Sequence, residues 1–451
     1  MHTHSLTWKV IGKTGEGIDT SGEILVSVAR RLGYHSNTFR TFPAIIKRGS
    51  SAFEVRTSTT PVACRADTVD LAFVLSSDGT SSDWDPGEIA EDGLIRRGVS
   101  SGKTTKWIFS EFPVTGLAQE TGSRLAKNMI VLGATCWLTG IPIDVVADEV
   151  TKLFSAKGPK VMETNLRAVE LGFQRISSYV DLDRRRVAIP ARQNSDANAT
   201  NTMLMTGNDA ISPGALVGGC RFFAGYPITP ATPVLEWMAK HLPKFGGHVV
   251  QTEDEIAALC MVIGDNYAGI RGMTATSGPG ISLMTESFGL AGMTETPVVV
   301  VDVQRPGPSA GQPTKHEQGD IHHVVYAGHG DIPGIVITPG TVQDCFHNGW
   351  MAFNLADRFQ CPVFVLYDQD LSLRKQTIPP ITLGDVYIDR GEVLGELQVS
   401  SLGESYHRYR DTPSGISPRA WPGVRGGIHV TSGDEHRFDG TIDVLDRSTR
   451  V

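Results

Sequence analysis

The 451-residue chain lacks several features that would place it quickly. It has no run of about 20 apolar residues, the length a membrane-crossing helix needs. Its nearest approach, residues 129–138, closes at Gly140 and Pro142 and reads as a buried helix. The opening "MHTHSLTWKVIG" has no charged head followed by an apolar run, so no secretory leader is expected. Six cysteines, at 64, 136, 220, 260, 345 and 361, include no CxxC pair. That scatter fits neither a disulfide framework nor a zinc or iron–sulfur site, and a cytoplasmic chain with no metal cluster of its own is expected. Excess positive charge is also missing: 41 Lys and Arg against 49 Asp and Glu leave −8. Nucleic acid is therefore not expected as a partner.

Glycine, by contrast, is abundant, at 49 of 451 residues or about 11%, above the usual ~7%. Many tight turns between strands and helices would explain the excess. The length predicts two or three domains. Residues 1–180 read as one α/β domain. A strand over 8–11 runs into the glycine loop "GKTGEGIDTSG", and Ile24, Leu25, Val28 and Leu32 follow as a helical stripe. "SAFEVRTS" alternates like a strand, and "VDLAFVLSS" and "KWIFSE" read as buried strands. Helices are expected near 127–138, 143–154 and 164–173. Residues 181–207 turn charged and then polar, as a linker does.

From 208 to 380 the pattern is more regular. "HVVQTEDEIAALCMVIGDNYAG" reads strand, turn, helix, and "GMTATSGPGISLMTESFGLAGM" reads strand, Gly-Pro-Gly turn, helix. "PVVVVDV", "GIVIT" and "CPVFVLYD" are apolar runs of the kind buried on both faces. Strands alternating with helices predict a parallel sheet. Residues 381–451 read as a Gly/Pro-rich tail.

Four stretches could carry chemistry. Gly12, Gly15 and Gly17 precede a helix and suit an anion, or form a plain tight turn. They do not make a GxGxxG, because Thr20 fills the third slot counted from Gly15. "KHEQGDIHH" offers three histidines and two acids but no HExxH, and polar loop composition accounts for it. Glu253 and Glu255 sit where a strand passes into a helix, either facing a ligand or complementing the helix dipole. Arg305 follows the strand "PVVVVDV", where it could clamp a carboxylate or lie on the surface. "GYPITPATP", residues 225–233, holds three prolines and two threonines. Each Pro fixes φ and restrains the residue before it, so a stiff, extended corner is expected.

Taken in order, "GYPITPATP", "QTEDEIAA", "TATSGPGISLMTE" and "QRPGPSAGQPT…EQGD" resemble the α subunit of 2-oxoacid:ferredoxin oxidoreductases, in the 2-oxoglutarate-type branch. Residues 1–180 are similar to that family's γ domain, fused in front, although "GKTGEGI" departs from its usual GxGGQGI. The resemblance implies an α/β fold with a γ-type domain and a thiamine-diphosphate-binding, pyrimidine-type parallel-sheet domain. It also implies oxidative decarboxylation of a 2-oxoacid to an acyl-coenzyme A, with electrons passed to ferredoxin. In the family a carboxyl group on the thiamine pyrimidine drives the tautomer that activates the cofactor. Alignment on "TATSG" puts that role on Glu253, with Glu255 the alternative. Tyr226, Pro227, Ile228 and Thr229 would pass beside the cofactor, Thr229 meeting the substrate. Arg305 would grip the 2-oxoacid carboxylate, supported by Thr314.

The GDG…N motif that holds magnesium and diphosphate does not occur here. The resemblance therefore implies a separate β subunit carrying the diphosphate half of the site, Mg2+ and a [4Fe-4S] cluster, with no metal on this chain. "GGIHVTSGDEHRFDGT" looks like the lead into a further α/β domain of the family, and the resemblance implies a member in which that C-terminal domain is expected to be missing. Two other readings stay open: a non-catalytic assembly subunit of such a complex, and a dinucleotide-binding oxidoreductase resting on the Gly12 loop.

Overall fold

The computed structural model describes residues 5–43, 50–76, 93–97, 107–180, 189, 201–326, 328–403 and 405–443. Most of the expected linker, 181–207, lies outside these residues. The chain divides into two compact units: Met1–Met205 with Arg374–Ile381, and Thr206–Leu373 with Thr382–Val451.

The first unit begins with β1 (Ser5–Lys13), α1 (Ile18–Arg31), β2 (His35–Thr41), β3 (Ser50–Ser58) and β4 (Leu71–Val74). It continues through β5 (Gly93–Arg97), β6 (Trp107–Glu111), α2 (Val114–Glu120), α3 (Lys127–Thr139), α4 (Ile143–Phe154), α5 (Pro159–Arg175) and β7 (Met203–Met205). These strands join one sheet, in the order β6-β5-β4-β1-β3-β2, with a strand over Gln376–Ile378 and then β7 at the far edge. Only β1 and β4 run parallel; the other neighbours are antiparallel. The α1 stripe packs as its spacing predicts, with Ile24, Leu25 and Val28 buried. Residues 129–138 do form a buried helix, α3, and Trp8 of β1 anchors to it by donating its indole hydrogen to the Thr135 hydroxyl at 2.9 Å.

The second unit runs α6 (Gly207–Val217), β8 (Cys220–Gly225), α7 (Thr232–His241), β9 (His248–Gln251), α8 (Glu255–Tyr267), β10 (Arg271–Thr276) and α9 (Gly278–Met293). Then follow β11 (Val298–Gln304), α10 (Ile321–Tyr326), β12 (Ile335–Ile337), α11 (Val342–Phe359), β13 (Pro362–Asp368) and α12 (Gln369–Leu373). Its six strands lie in the order β12-β13-β11-β10-β8-β9, every neighbouring pair parallel. All seven residues of β11 are buried, as a central strand covered on both faces must be. Each buried valine there contributes on the order of 1.5 kcal/mol.

The chain then leaves for β14 (Gln376–Ile378), the strand already met in the first sheet, before α13 (Glu396–Ser401). Residues 374–380, expected in the second domain, thus belong to the first unit. The expected tail is also more than a tail. Asp357 of α11 is buried and paired with Arg271 at 2.8 Å, Arg390 at 3.0 Å and Arg419. Two of those arginines come from beyond residue 381, so an irregular segment is held to the second unit by charge. Arg408 adds a bond to Glu295 at 2.8 Å, and Val399, Tyr406 and Ala420 form a small apolar cluster. All six cysteines are free thiols. No helix among the described residues is long and apolar enough to cross a membrane.

In each unit two helices touch through paired glycines. A Cβ on Gly133 of α3 would lie 1.9 Å from the Val169 carbonyl, and one on Gly172 of α5 would lie 2.0 Å from the Ile130 carbonyl. Gly214 and Gly349 play the same part between α6 and α11, at 2.2 and 2.6 Å from Phe346 and Ile211 carbonyls. Overpacking typically costs about 1–3 kcal/mol, and a backbone carbonyl cannot rotate aside. Gly172→Val is therefore expected to cost about 3 kcal/mol or more, read as a lower midpoint in urea unfolding. An unchanged midpoint would show that α3 and α5 do not meet this closely.

Candidate active site at the edge of the parallel sheet

Open parallel sheets bind ligands at the carboxyl ends of their strands, where successive connections leave in opposite directions. Here that point lies between β8 and β10. The chain goes from β8 to β9 on one side, then crosses back so that β10 lies on the other. The loop after β8 is the proline corner, and the loop after β10 is Ser277 with the Gly278-Pro279-Gly280 start of α9.

The corner is not extended throughout. Tyr226, Pro227 and Ile228 are irregular, and the chain then turns, the Ile228 carbonyl accepting from the amides of Ala231 (2.8 Å) and Thr232 (2.9 Å). The prolines permit this because Pro230 and Pro233 fall where no amide is needed, Pro233 in the first turn of α7. Tyr226 and Thr229 are exposed, Pro227 and Ile228 half-buried.

Arg305, one residue past β11, is 8% exposed and reaches this corner, donating from Nη1 to the Thr229 carbonyl at 2.6 Å. Its Nε is buried with no hydrogen-bond partner. Burial pulls the guanidinium below its usual pKa, opposed by the charges of Asp320 and Glu255. An arginine with an orphaned, buried donor is a socket for a planar anion. Beyond it the chain curls tightly, the Gln312 amide donating to the Pro306 carbonyl at 3.1 Å. Gly311 is required there: its φ is +54°, and a Cβ would sit 1.8 Å from the Pro306 carbonyl oxygen. Thr314 is half-buried and makes no hydrogen bond to a described residue.

The two glutamates separate. Asp254 caps α8, its carboxylate accepting from the Ala257 amide at 2.8 Å. Glu255, first residue of the helix, is 4% exposed and accepts from the Thr276 hydroxyl at 3.4 Å. It is sealed under α9, where a Cβ on Gly280 would meet the Thr276 hydroxyl at 2.0 Å and the Glu255 carboxylate at 2.7 Å. Glu253 lies in the preceding turn with its side chain exposed. The structure thus ties Arg305, Thr229, Glu255 and Thr276 to one edge, and leaves Glu253, Tyr226 and Thr314 without contacts to Arg305 among the described bonds.

The sequence reading missed Asp302, and weighed Asp320 only as one of the two acids of "KHEQGDIHH". Asp302 is fully buried in β11, and neither carboxyl oxygen has a partner. Burial, then the charge of Asp320, push it well above the usual carboxylate range. Asp320 donates its amide to the Gln304 side chain at 3.0 Å and is raised by burial. A charge embedded in "PVVVVDV" was the available signal. "KHEQGDIHH" is dispersed: His323 meets the Ser282 hydroxyl at 3.1 Å, and His322 stacks on Tyr326. Among the described residues no group of three or more His, Cys, Asp or Glu could hold a metal.

Asp302 yields a signed expectation. A carboxyl raised in the folded state costs stability as pH rises above its unfolded pKa of about 3.9. Asp302→Asn should remove that cost. Its melting temperature, relative to the parent, should rise steadily from pH 4 to pH 7. A difference that falls over that range would mean that Asp302 is ionised and paired.

Comparison with known proteins follows the two units. A family model described as "Pyruvate flavodoxin/ferredoxin oxidoreductase, thiamine diP-bdg" matches residues 213–444, and one described as "Pyruvate ferredoxin/flavodoxin oxidoreductase" matches 7–175. The first match takes in nearly all of the irregular segment anchored by Asp357. A 2-oxoacid:ferredoxin oxidoreductase subunit alpha from a Sulfolobus species is 32% identical over 98% of this chain and 76% of its own. The 2-oxoglutarate synthase subunit KorA of Methanocaldococcus jannaschii is 53% identical over 37% of this chain and 45% of its own. The chain spans about half the length of such synthase subunits, 48% for that of Methanothermobacter thermautotrophicus. A solved 2-oxoglutarate:ferredoxin oxidoreductase from Magnetococcus marinus, with 2-oxoglutarate, coenzyme A and succinyl-CoA bound, superposes with a TM-score of 0.85 at 36% identity. That superposition covers 99% of this chain and 77% of the other.

Proposed function

Because the chain belongs to the pyruvate and 2-oxoacid ferredoxin/flavodoxin oxidoreductase family, we propose that it is the alpha subunit of a 2-oxoacid:ferredoxin oxidoreductase. Its substrate is a 2-oxoacid of the 2-oxoglutarate type, converted with coenzyme A to an acyl-coenzyme A and carbon dioxide. Its domains are a γ-type oxidoreductase domain in the first unit and the pyrimidine-type half of a thiamine diphosphate site in the second. A β subunit supplies the diphosphate half with Mg2+ and a [4Fe-4S] cluster, and ferredoxin takes the electrons.

The observation that carries this reading is the buried, half-satisfied Arg305 at the strand edge. Its free donors suit a carboxylate, and its bond to the Thr229 carbonyl fixes the guanidinium in place. Thr229, exposed beside it, presents its hydroxyl to the substrate, and Thr314 supports from the same loop as Arg305. Tyr226, Pro227 and Ile228 form the wall along which the cofactor lies.

Thiamine diphosphate, when bound, supplies the nucleophilic carbon and the electron sink for decarboxylation. Glu253 is the carboxyl that holds its pyrimidine nitrogen, because a cofactor shared with a second subunit must be met by an accessible acid. Glu255 is too deeply sealed beneath Gly280 for that contact and instead helps hold Thr276 and the charge of Arg305.

Glu253→Gln is expected to cut turnover of the assembled complex roughly a hundredfold or more while leaving its melting temperature unchanged. Deuterium exchange at the thiamine C2 carbon should slow in parallel. Wild-type exchange in Glu253→Gln, with the loss appearing in Glu255→Gln instead, would move the role two residues along.

Arg305→Lys should raise the apparent KM for every 2-oxoacid about tenfold or more and leave cofactor affinity little changed, since an ammonium cannot make the bidentate fork. Unaltered KM values across pyruvate, 2-oxoglutarate and branched-chain oxoacids would remove Arg305 from the substrate site.

A further inference from the structure

Arg305 does not hold the proline corner alone. The Pro230 carbonyl, next along from the Thr229 carbonyl that Arg305 engages, accepts from the Asn208 side-chain amide at 3.0 Å. Asn208 lies in α6 and is 1% exposed. Its Oδ1 in turn accepts from the hydroxyl of Tyr367, a buried residue of β13, at 2.7 Å. We propose that Asn208 is a positioning residue for the oxoacid reaction: oriented by Tyr367, it holds the corner so that the Thr229 hydroxyl meets the substrate. That role presupposes Thr229 in the substrate site, as proposed above.

Three successive carbonyls of the corner are engaged. That of Ile228 accepts from the Ala231 and Thr232 amides, that of Thr229 from Arg305, and that of Pro230 from Asn208. The Thr229 hydroxyl, by contrast, is exposed and makes no hydrogen bond to a described residue. Peptide units are planar, so fixing consecutive carbonyls fixes the backbone between them. A β-branched side chain adds little freedom of its own. The direction of the free hydroxyl is therefore set by the donors behind it.

The relay through Asn208 can run only one way. A carbonyl accepts and never donates, so Asn208 must turn its NH2 to Pro230 and its oxygen to Tyr367. Burial above all, then Cys345 of α11, Asp302 of β11 and Asp209 of α6, raises Tyr367 well above its usual pKa, so its hydroxyl keeps the proton it donates. Both ends stand on rigid elements. Thr206 and Asp209 close a capping box on the first turn of α6, which carries Asn208. Gly207 presses that turn against α12, since a Cβ there would lie 2.6 Å from the Leu371 carbonyl. Tyr367 sits in β13, paired along its length with β11. A fully satisfied buried network of this kind fixes orientation, as apolar packing alone does not.

The direction of the relay makes it testable by pH. The groups that act on Tyr367 are all acids, and the nearby cation, Arg305, is already offset by Asp320 and Glu255. An acid placed at position 208 would therefore titrate above its usual range. Protonated, it would again offer one donor and one acceptor; ionised, it would repel the Pro230 carbonyl.

The chain assembled with its β subunit is assayed with 2-oxoglutarate and coenzyme A, each variant against the parent at the same pH. Asn208→Asp is expected to raise the KM for 2-oxoglutarate about tenfold or more at pH 9, and to come back within about threefold at pH 6. Affinity for thiamine diphosphate should change less than about twofold at either pH. Tyr367→Phe, which frees the Asn208 amide to turn, should raise KM about threefold at both. Thr229→Ala separates this role from the reading it presupposes. If Thr229→Ala leaves KM unchanged, the substrate role of Thr229 fails and this proposal with it. If Thr229→Ala raises KM and Asn208→Asp then adds little more, the two act together and the proposal stands. Full additivity of the two, an Asn208→Asp effect equal at pH 6 and pH 9, or a lowered melting temperature with KM unmoved would overturn it and leave Thr229 in place.

Discussion

A sheet whose six strands all run parallel must release every following loop at one edge. In this chain that constraint gathers short stretches after β8, β9, β10 and β11. None could form a site alone. The proline corner gives a carbonyl to Arg305, α8 buries Glu255 beneath α9, and Thr276 at the end of β10 bonds to that glutamate. The reversal of strand order between β8 and β10 opens the crevice between them. The valines of β11 set the depth of this edge, since a strand buried on both faces cannot slide without exposing one of them.

Much of the second unit was legible in the sequence because its signals are local. "PVVVVDV" and "CPVFVLYD" can be little else than strands buried on both faces, and Pro and Gly mark their ends. Where burial depends on partners far along the chain, the sequence was silent. β2, "HSNTFRT", is polar and β-branched by turns and becomes a strand only between β3 and β14, the latter about 340 residues away in sequence and paired at Gln376 with Asn37. The segment after 381 looked like a tail because two of its anchors are Arg390 and Arg419, which show no periodicity. Their common partner, Asp357, is an ordinary acid on a helix until the fold buries it. Burial of one carboxylate among several guanidiniums holds only when every member stays paired. That requirement explains how so irregular a segment keeps its place.

The candidate site shows the same division. The residue types at the edge could be read in order, but not their orientation. Glu253 and Glu255 differ by two positions and look equivalent in sequence, yet one faces out from a turn and the other is sealed by the close approach of α9 at Gly280. Arg305 looked like a surface residue in a proline-glycine loop as readily as a clamp. Its 8% exposure and orphaned Nε distinguish the two. Asp302, buried and unpaired in the strand that leads to that arginine, was hidden by the valines around it.

The central claim is that the second unit supplies one half of a shared cofactor site, with its pyrimidine acid exposed until a partner covers it. Calorimetric titration of thiamine diphosphate with Mg2+, into the isolated chain and into the chain with its β subunit, tests this most directly. The account predicts negligible binding to the chain alone, because a diphosphate without its metal ligands has nothing to hold it. It predicts saturable, magnesium-dependent binding in the complex, with a matching rise in melting temperature. Tight, magnesium-dependent binding by the isolated chain would contradict it.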